Sequence, residues 1–322
     1  MSRIAALRLA LLPPVALAML ACAAPEPAAP APAVDRQDGL SPGRHVYTTA
    51  DGNDVPYVVR GGGATTVVLV HCWMCDRTFW DAQIPALEER YRVIALDLPG
   101  HGEAGAEREA WTVEAFGHDV AGLIDRLDLR DVVLVGHSMG GPVSLKAAAL
   151  ARDRVRGIVA VDTLHDAEFD FHGPGMEQML AMFDSDFRAT CASMVDRMFI
   201  EEGADEIIAE VRVKGCQTSN VAVGQALIRD FGNIDFPLWF REAGVPIRAI
   251  NAAVPHETKI DVNRKYADFD AVLMEGVGHY LQMTRPDEFN QHLLRTLDQL
   301  AGPSMGQVGS QASPIPSPSA SS

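Results

Sequence analysis

The chain has 322 residues, of which 48% are hydrophobic and 22% are charged, so it is long enough for one large globular domain with an insertion or for two smaller domains. Its formal net charge is −16, and no long block of lysine and arginine occurs. The electrostatic attraction that nucleic-acid binding requires is therefore missing, and we expect no nucleic-acid partner.

The first 22 residues have the pattern of a targeting signal, with Arg3 and Arg8 beside an apolar stretch over residues 4–20. The sequence Met19-Leu20-Ala21-Cys22 resembles a bacterial lipobox, which implies a lipid anchor on Cys22 and a membrane partner. Ordinary signal-peptidase cleavage after Ala23 is the alternative. Both interpretations predict an exported protein of the cell envelope, either lipid-anchored at a membrane or periplasmic.

Two segments of biased composition flank the region that is predicted to fold. Residues 23–39 begin with a proline- and alanine-rich run that is typical of a semi-rigid linker. Residues 302–322 contain too little apolar surface to order themselves, which predicts a disordered tail.

Between these segments, short aliphatic runs alternate with helical patterns, which predicts an α/β fold with a mostly parallel sheet and crossover helices. The predicted strands are Pro56–Arg60, Thr66–Val70, Arg92–Leu96, Val132–Val135, Gly157–Val161, Ile247–Ile250 and Ala271–Met274. The predicted helices are Phe79–Glu89, Val113–Leu127, Gly141–Ala151 and Pro286–Leu300.

One long interval breaks this alternation. Roughly eighty residues between Val161 and Ile247 have helical patterns, including apolar residues at i, i+3, i+4 and i+7 from Met176 to Phe183. We therefore predict a helical cap over residues 163–240, inserted into an α/β core made of residues 40–162 and 241–301.

The stretch around Ser138 links a buried strand to a helix. The strand Val132–Val135 is wholly apolar, residues 136–140 read Gly-His-Ser-Met-Gly, and Pro142 comes early in the following helix, where its missing N–H is tolerated. This G-x-S-x-G pattern in a strand-turn-helix context predicts a nucleophile elbow that exposes the Ser138 hydroxyl at the helix N-terminus.

Three motifs together resemble the α/β-hydrolase superfamily across about residues 43–301: "GHSMGG" at 136–141, "LDLPGHG" at 96–102 and "GVGHYLQMTRPDEFNQHL" at 276–293. The resemblance is to lipid- or ester-cleaving members with a helical cap. It implies an α/β-hydrolase fold, with helices flanking the sheet and the cap inserted after the sixth strand.

The resemblance also implies a catalytic triad with Ser138 as the nucleophile and His279 as the base. Members usually carry the acid after the strand that corresponds to Ile247–Ile250, but no Asp stands there in this chain. Asp162, at the end of the preceding strand, is the favoured acid because a strand end fixes a carboxylate better than a loop does. Glu257 is the less favoured candidate, and Asp261 is a further one.

The oxyanion donors implied by the resemblance are the backbone N–H groups of Met139 and Trp73. Where the family usually has His-Gly, this chain has His71-Cys72. We expect structural roles for His71, and likewise for His101 and His137.

Cysteine spacing leaves several interpretations open. Cys72 and Cys75 form a C-x-x-C pair that could be a disulfide, a redox site or a fragment of a metal site with His71 and Asp76. Cys191 and Cys216 both fall in the predicted cap, and we expect them to pair in an oxidising compartment.

The predicted function is that of a serine hydrolase that cleaves small carboxylic esters through an acyl-enzyme, with no cofactor and no metal. A lactonase or a carbon–carbon bond hydrolase of the same fold is the alternative, and a catalytically silent envelope binding module or a thiol oxidoreductase is the alternative from another class. Apolar residues are expected to line the substrate cavity, namely Met176, Met179, Met182, Phe183, Met194, Met198, Phe199, Trp239 and Phe240.

Overall fold

The computed structural model describes residues 38–201 and 203–301. The targeting segment 1–22, nearly all of the linker and the tail 302–322 lie outside the described residues. Eight strands form one sheet in the order β1-β2-β4-β3-β5-β6-β7-β8. The strands are β1 (Gly43–Thr48), β2 (Asp54–Arg60), β3 (Thr66–Val70), β4 (Arg92–Leu96), β5 (Val132–His137), β6 (Val155–Val161), β7 (Ile247–Ala252) and β8 (Phe269–Met274).

The sheet is mostly parallel, as predicted. Strands β3 to β8 pair in parallel, whereas β2 pairs antiparallel with both β1 and β4. Every residue of the central strands β3 and β5 is buried, which is typical of parallel strands with both faces covered. The sequence patterns do not predict β1, because it is a half-exposed edge strand with a weak apolar signal.

Helices cover both faces of the sheet. They are α1 (Ile84–Glu88), α2 (Val113–Arg126), α3 (Gly140–Leu150), α4 (Pro174–Ser185), α5 (Phe187–Met198), α6 (Asp205–Val211), α7 (Val221–Asp230), α8 (Phe236–Ala243), α9 (Ile260–Asn263), α10 (Leu281–Thr284) and α11 (Pro286–Ala301). Successive residues of β5 face opposite layers: Leu134 packs with Phe116 of α2 on one side, and Val133 packs with Phe289 of α11 on the other.

The prediction of one continuous helix over Phe79–Glu89 is wrong. A short 3-10 helix ends at Trp80, and α1 begins only at Ile84. The intervening turn is closed by i to i+3 hydrogen bonds, such as Gln83 N to Trp80 O at 2.9 Å. Pro85 has no N–H to extend a helix that begins earlier, so it is tolerated only in the first turn of α1.

The segment between β6 and β7 is helical, so the fold with an inserted helical cap is confirmed. Helices α4 to α8 occupy this segment, and the predicted disulfide between Cys191 and Cys216 is present. An apolar cluster joins the cap to the loop after β3, because Phe183, Phe187 and Val195 pack with the cysteines of that loop. No helix within residues 38–201 and 203–301 is long and apolar enough to span a bilayer.

Candidate active site

Ser138 lies at a tight turn between β5 and α3. Its φ angle is 51°, in the left-handed region that a non-glycine residue occupies only under strain, and its N–H donates to Val161 O at 3.0 Å. A Cβ atom on Gly136 would lie 2.1 Å from Gly140 O, and a Cβ atom on Gly140 would lie 2.4 Å from Val70 O. Both positions therefore require glycine for the elbow to form.

His279 follows β8 and contacts the carboxylate at the end of β6. Its Nδ1 lies 2.6 Å from Asp162 Oδ2, and its backbone N–H donates to Met198 O of the cap at 2.8 Å. The other carboxylate oxygen, Asp162 Oδ1, accepts a hydrogen bond of 2.8 Å from Ala252 N at the end of β7. The end of β6 thus presents the carboxylate that contacts His279, and the amide of Ala252 at the end of β7 fixes its orientation.

Asp162 is almost fully buried, at 5% exposure, yet it sits among groups that favour its charged form. Burial opposes ionisation, but the hydrogen bond from His279, the nearby His165 and the amide of Ala252 outweigh it and hold the pKa of Asp162 below its usual value. A carboxylate in this state holds the Nδ1 proton of His279, which leaves Nε2 as a proton acceptor.

The other candidate acids lie elsewhere. Glu257 is exposed on the wall of a wide cavity, and Asp261 is exposed and lies 3.6 Å from Arg264. Neither hydrogen-bonds to His279 in the described part of the chain. At the end of β7 stands Asn251 instead of an acid, and its side chain bonds both the N–H and the carbonyl of Thr163.

His137 holds the backbone of His279 in place. His137 Nε2 lies 2.8 Å from the carbonyl of His279, and Gln282 Nε2 lies 3.1 Å from His137 Nδ1. Since the Gln282 amide donates to Nδ1, the proton of His137 is on Nε2 and points at that carbonyl. Gln282 lies within the motif at 276–293, but the sequence pattern assigns it no role, because its contact with His137 spans 145 positions.

His71 and His101 are also buried, in agreement with the structural roles expected for them. His71 Nδ1 donates to Cys72 O at 2.8 Å, and its Nε2 accepts from Leu98 N at 2.9 Å, so it ties the loop after β3 to the loop after β4. Burial lowers the pKa of His71 to about 4. Burial and a neighbouring histidine lower the pKa values of His101 and His137 to about 3, so all three are neutral at physiological pH.

The C-x-x-C pair of the loop after β3 is a disulfide. Cys72 and Cys75 are bonded to each other and are only 2% and 3% exposed. Both ring nitrogens of His71 are engaged by backbone groups, so the pair and this histidine do not form the metal-site fragment considered above. The burial favours a structural role for the disulfide over exchange with other thiols.

The disulfide encloses Trp73, one of the two predicted oxyanion donors. The Trp73 indole N–H donates to Gly224 O of α7 at 3.0 Å, and its ring packs on Phe183 and Phe187. Met139, the other predicted donor, is fully buried at the N-terminus of α3. The disulfide and the cap thus fix the conformation of the Trp73 loop.

Two cavities meet at the elbow, and each is lined by Ser138, Met198 and His279. The narrow cavity has a volume of about 30 Å³ and the wide cavity a volume of about 500 Å³. Of the residues predicted to line a substrate cavity, only Met194 and Met198 do so here. The others are not among the lining residues of these two cavities, namely Met176, Met179, Met182, Phe183, Phe199, Trp239 and Phe240.

Comparisons with known proteins indicate the family and the fold. The model of the alpha/beta hydrolase fold family matches residues 65–194. One relative is the dihydrolipoyllysine-residue acetyltransferase component of the acetoin cleaving system of Pseudomonas putida, which is 30% identical over 255 residues. The match covers 75% of this chain and 65% of that protein, just under two thirds of its length. A segment of 97 residues, 30% of this chain, is 39% identical to a non-heme chloroperoxidase of Kitasatospora aureofaciens and covers 35% of it.

A solved structure shows the same fold over nearly its whole length. A thermophilic esterase from Thermogutta terrifontis superposes with a TM-score of 0.69 at 24% sequence identity, covering 80% of this chain and 99% of the esterase. The fold, the strand-turn-helix around Ser138 and the family-model match are together those of the α/β-hydrolase class of proteins. This chain thus has the α/β-hydrolase fold, and residues 65–194 match the model of that family.

Proposed function

We propose that this protein is a serine hydrolase that cleaves small carboxylic esters through an acyl-enzyme intermediate. The observation that carries the proposal is the 2.6 Å contact between His279 Nδ1 and Asp162 Oδ2, beside a strained Ser138 that lines the same cavities as His279. An ester substrate also agrees with the esterase among the structural neighbours.

In the proposed reaction, Ser138 Oγ attacks the ester carbonyl carbon while His279 Nε2 takes the hydroxyl proton. The carbonyl π electrons move to the oxygen, and the backbone N–H groups of Trp73 and Met139 stabilise the negative charge that develops there. Collapse of this tetrahedral species breaks the bond to the alcohol, which leaves with the proton from His279. Water then attacks the acyl-enzyme by the same route, and Asp162 keeps His279 in the required tautomer.

Hydrolysis of p-nitrophenyl acetate tests the proposal. We expect turnover by the purified protein, loss of at least 10³-fold in kcat for Ser138→Ala, and labelling of Ser138 by a fluorophosphonate probe, located by peptide mass spectrometry. A protein that turns over no ester and leaves Ser138 unlabelled would instead favour a binding module. Equal activity in Ser138→Ala would place the reaction at another residue.

We further propose that the protein is exported and lipid-anchored through Cys22. The lipobox-like sequence that ends at Cys22 supports export and lipid anchoring. The two disulfides of the folded part support an oxidising compartment. Intact-mass analysis of the protein from its native cells tests this: we expect an N-terminal Cys22 that carries acyl groups, and recovery of Cys22→Ala outside the membrane fraction. An unmodified N-terminus at Ala24 would show ordinary cleavage instead.

A further inference from the structure

The cavities on the two sides of Ser138 differ in size, chemistry and access to solvent. The narrow cavity is formed by the loop after β3 and by cap residues, among them Met194, Val195 and Val211. The wide cavity has an aromatic wall, and Phe169 on that wall is 57% exposed. One substrate that reaches Ser138 must therefore place different groups in the two cavities.

The narrow cavity limits the group that can enter it. A cavity must offer about 10–15 Å³ to hold one water molecule. The narrow cavity, with about 30 Å³, therefore admits roughly two groups of the size of a methyl. Val195 and Val211 are 3% and 1% exposed and pack in the cap cluster, so the walls cannot move apart without disturbing that cluster. A long chain is therefore excluded.

Access to water decides which part of an ester each cavity takes. The acyl group stays bonded to Ser138 after the alcohol has left, and the attacking water must then reach the place of the alcohol. The wide cavity can admit this water and release the alcohol, because exposed residues such as Glu257 and Phe169 stand on its wall. The narrow cavity is lined in part by Trp73, the proposed oxyanion donor of the loop after β3. It therefore suits the acyl group, which remains bonded to Ser138.

The wide cavity also has the surface to recognise a large apolar alcohol. Phe171 stacks on Phe236 with ring centroids 5.3 Å apart, and Phe169 packs edge-on against Phe171 at 4.7 Å. The half-exposed ring of Phe169 leaves an apolar face that an aromatic group can cover. A volume of about 500 Å³ lies within the range typical of cavities that bind drug-sized ligands.

From these observations we propose that the preferred substrates are esters of a short acyl group, of about two to four carbons, with a bulky aromatic alcohol. The proposal rests on the proposed esterase function and specifies its substrate class. The narrow cavity holds the acyl chain, and the wide cavity holds the alcohol. Met194 limits acyl length, and Phe169 favours an aromatic alcohol.

Two ester series measured with the purified protein test the proposal. With p-nitrophenol as the common alcohol, we expect kcat/KM to fall by roughly tenfold or more from butyrate to hexanoate. Met194→Ala, which removes a thioether side chain from the lining of the narrow cavity, should raise the ratio of hexanoate to acetate kcat/KM by about tenfold. Met182→Ala is the matched control: Met182 is an exposed methionine on α4 outside both cavities, and the ratio should not change.

With acetate as the common acyl group, we expect benzyl acetate to have a higher kcat/KM than ethyl acetate, since the two alcohols are similar leaving groups and differ in the aromatic ring. Phe169→Ala should lower the ratio of benzyl acetate to ethyl acetate kcat/KM by roughly three- to tenfold. Equal turnover of acetate and hexanoate by the wild-type protein, or no change of ratio in Met194→Ala, would overturn the substrate assignment while leaving the esterase function intact. Failure to hydrolyse any ester of either series, together with no fluorophosphonate labelling of Ser138, would overturn both.

Discussion

Replacing Asp162 by asparagine keeps the shape of the side chain but exchanges one acceptor oxygen for an NH₂ group, which can only donate hydrogen bonds. Asp162 accepts from two donors, Ala252 N at 2.8 Å and His279 Nδ1 at 2.6 Å. Asparagine has only one acceptor oxygen. Because the backbone N–H of Ala252 can only donate, the amide oxygen must stay on Ala252 and the NH₂ group must face His279.

This arrangement forces His279 Nδ1 to accept a hydrogen bond, so the imidazole proton moves to Nε2, the atom that must take the proton from Ser138. In serine proteases the same change of tautomer lowers kcat by about 10⁴-fold. At about 1.36 kcal/mol per factor of ten, the expected rise of the activation free energy is about 5.5 kcal/mol.

The assay is kcat for p-nitrophenyl acetate, with thermal unfolding measured in parallel to show that each variant folds. Glu257→Gln is the matched control, because Glu257 is the competing carboxylate and its side chain is exposed; we expect it to keep most of the activity. The reasoning is refuted if Asp162→Asn stays within tenfold of the wild type, or if Glu257→Gln loses as much activity as Asp162→Asn.

Three further predictions concern stability and the loop after β3. Burial lowers the pKa of His101 in the folded protein to about 3, whereas an unperturbed histidine has a pKa of about 6.5. Between these two pH values the unfolded state therefore binds a proton that the folded state does not. As the pH falls through this range, the free energy of unfolding of the wild type, measured by urea unfolding, should drop by up to about 1.4 kcal/mol per pH unit more than that of His101→Phe. Gly140→Ala would place a Cβ 2.4 Å from a backbone carbonyl of β3 and should destabilise the protein by about 1–3 kcal/mol, whereas Gly173→Ala, with open space around it, should have little effect; equal melting temperatures for the two variants would contradict this. Replacing Cys72 and Cys75 together by serine should lower kcat by about tenfold, because the loop after β3, which carries the proposed oxyanion donor, becomes less ordered. Replacing Cys191 and Cys216 together by serine should mainly lower the melting temperature. The reverse pattern would show that the Cys72–Cys75 disulfide does not support catalysis.

The family match and the fold comparison confirm the α/β-hydrolase fold that the sequence motifs indicated. The segment from β5 to α3 can be recognised from its sequence: it has an apolar run, glycines at Gly136 and Gly140 where no Cβ fits, and a proline in the first turn of α3. Gly136 is required by a contact within this segment, with Gly140 O, whereas Gly140 is required by the approach of Val70 O from β3. The roles of Ser138 and His279 as nucleophile and base stay predictions until activity is measured.

Contacts between distant segments could not be derived in this way. The methionines of α4 have the helical spacing of a cavity wall and of a packed cap alike, and only the packing of the cap shows that they line neither cavity. The break before α1 and the edge strand β1 likewise depend on neighbours that a local pattern does not contain.

The sequence by itself determined the elbow and narrowed the acid to Asp162, Glu257 and Asp261. Only the tertiary structure shows which of the three contacts His279, since Asp162 reaches it across 117 positions of the chain. The parallel pairing of β6 with β7 places Ala252 N against Asp162, and that pairing depends on hydrogen bonds between strands separated by the whole cap. A carboxylate is oriented by the groups around it, and those groups come together only when the sheet has formed.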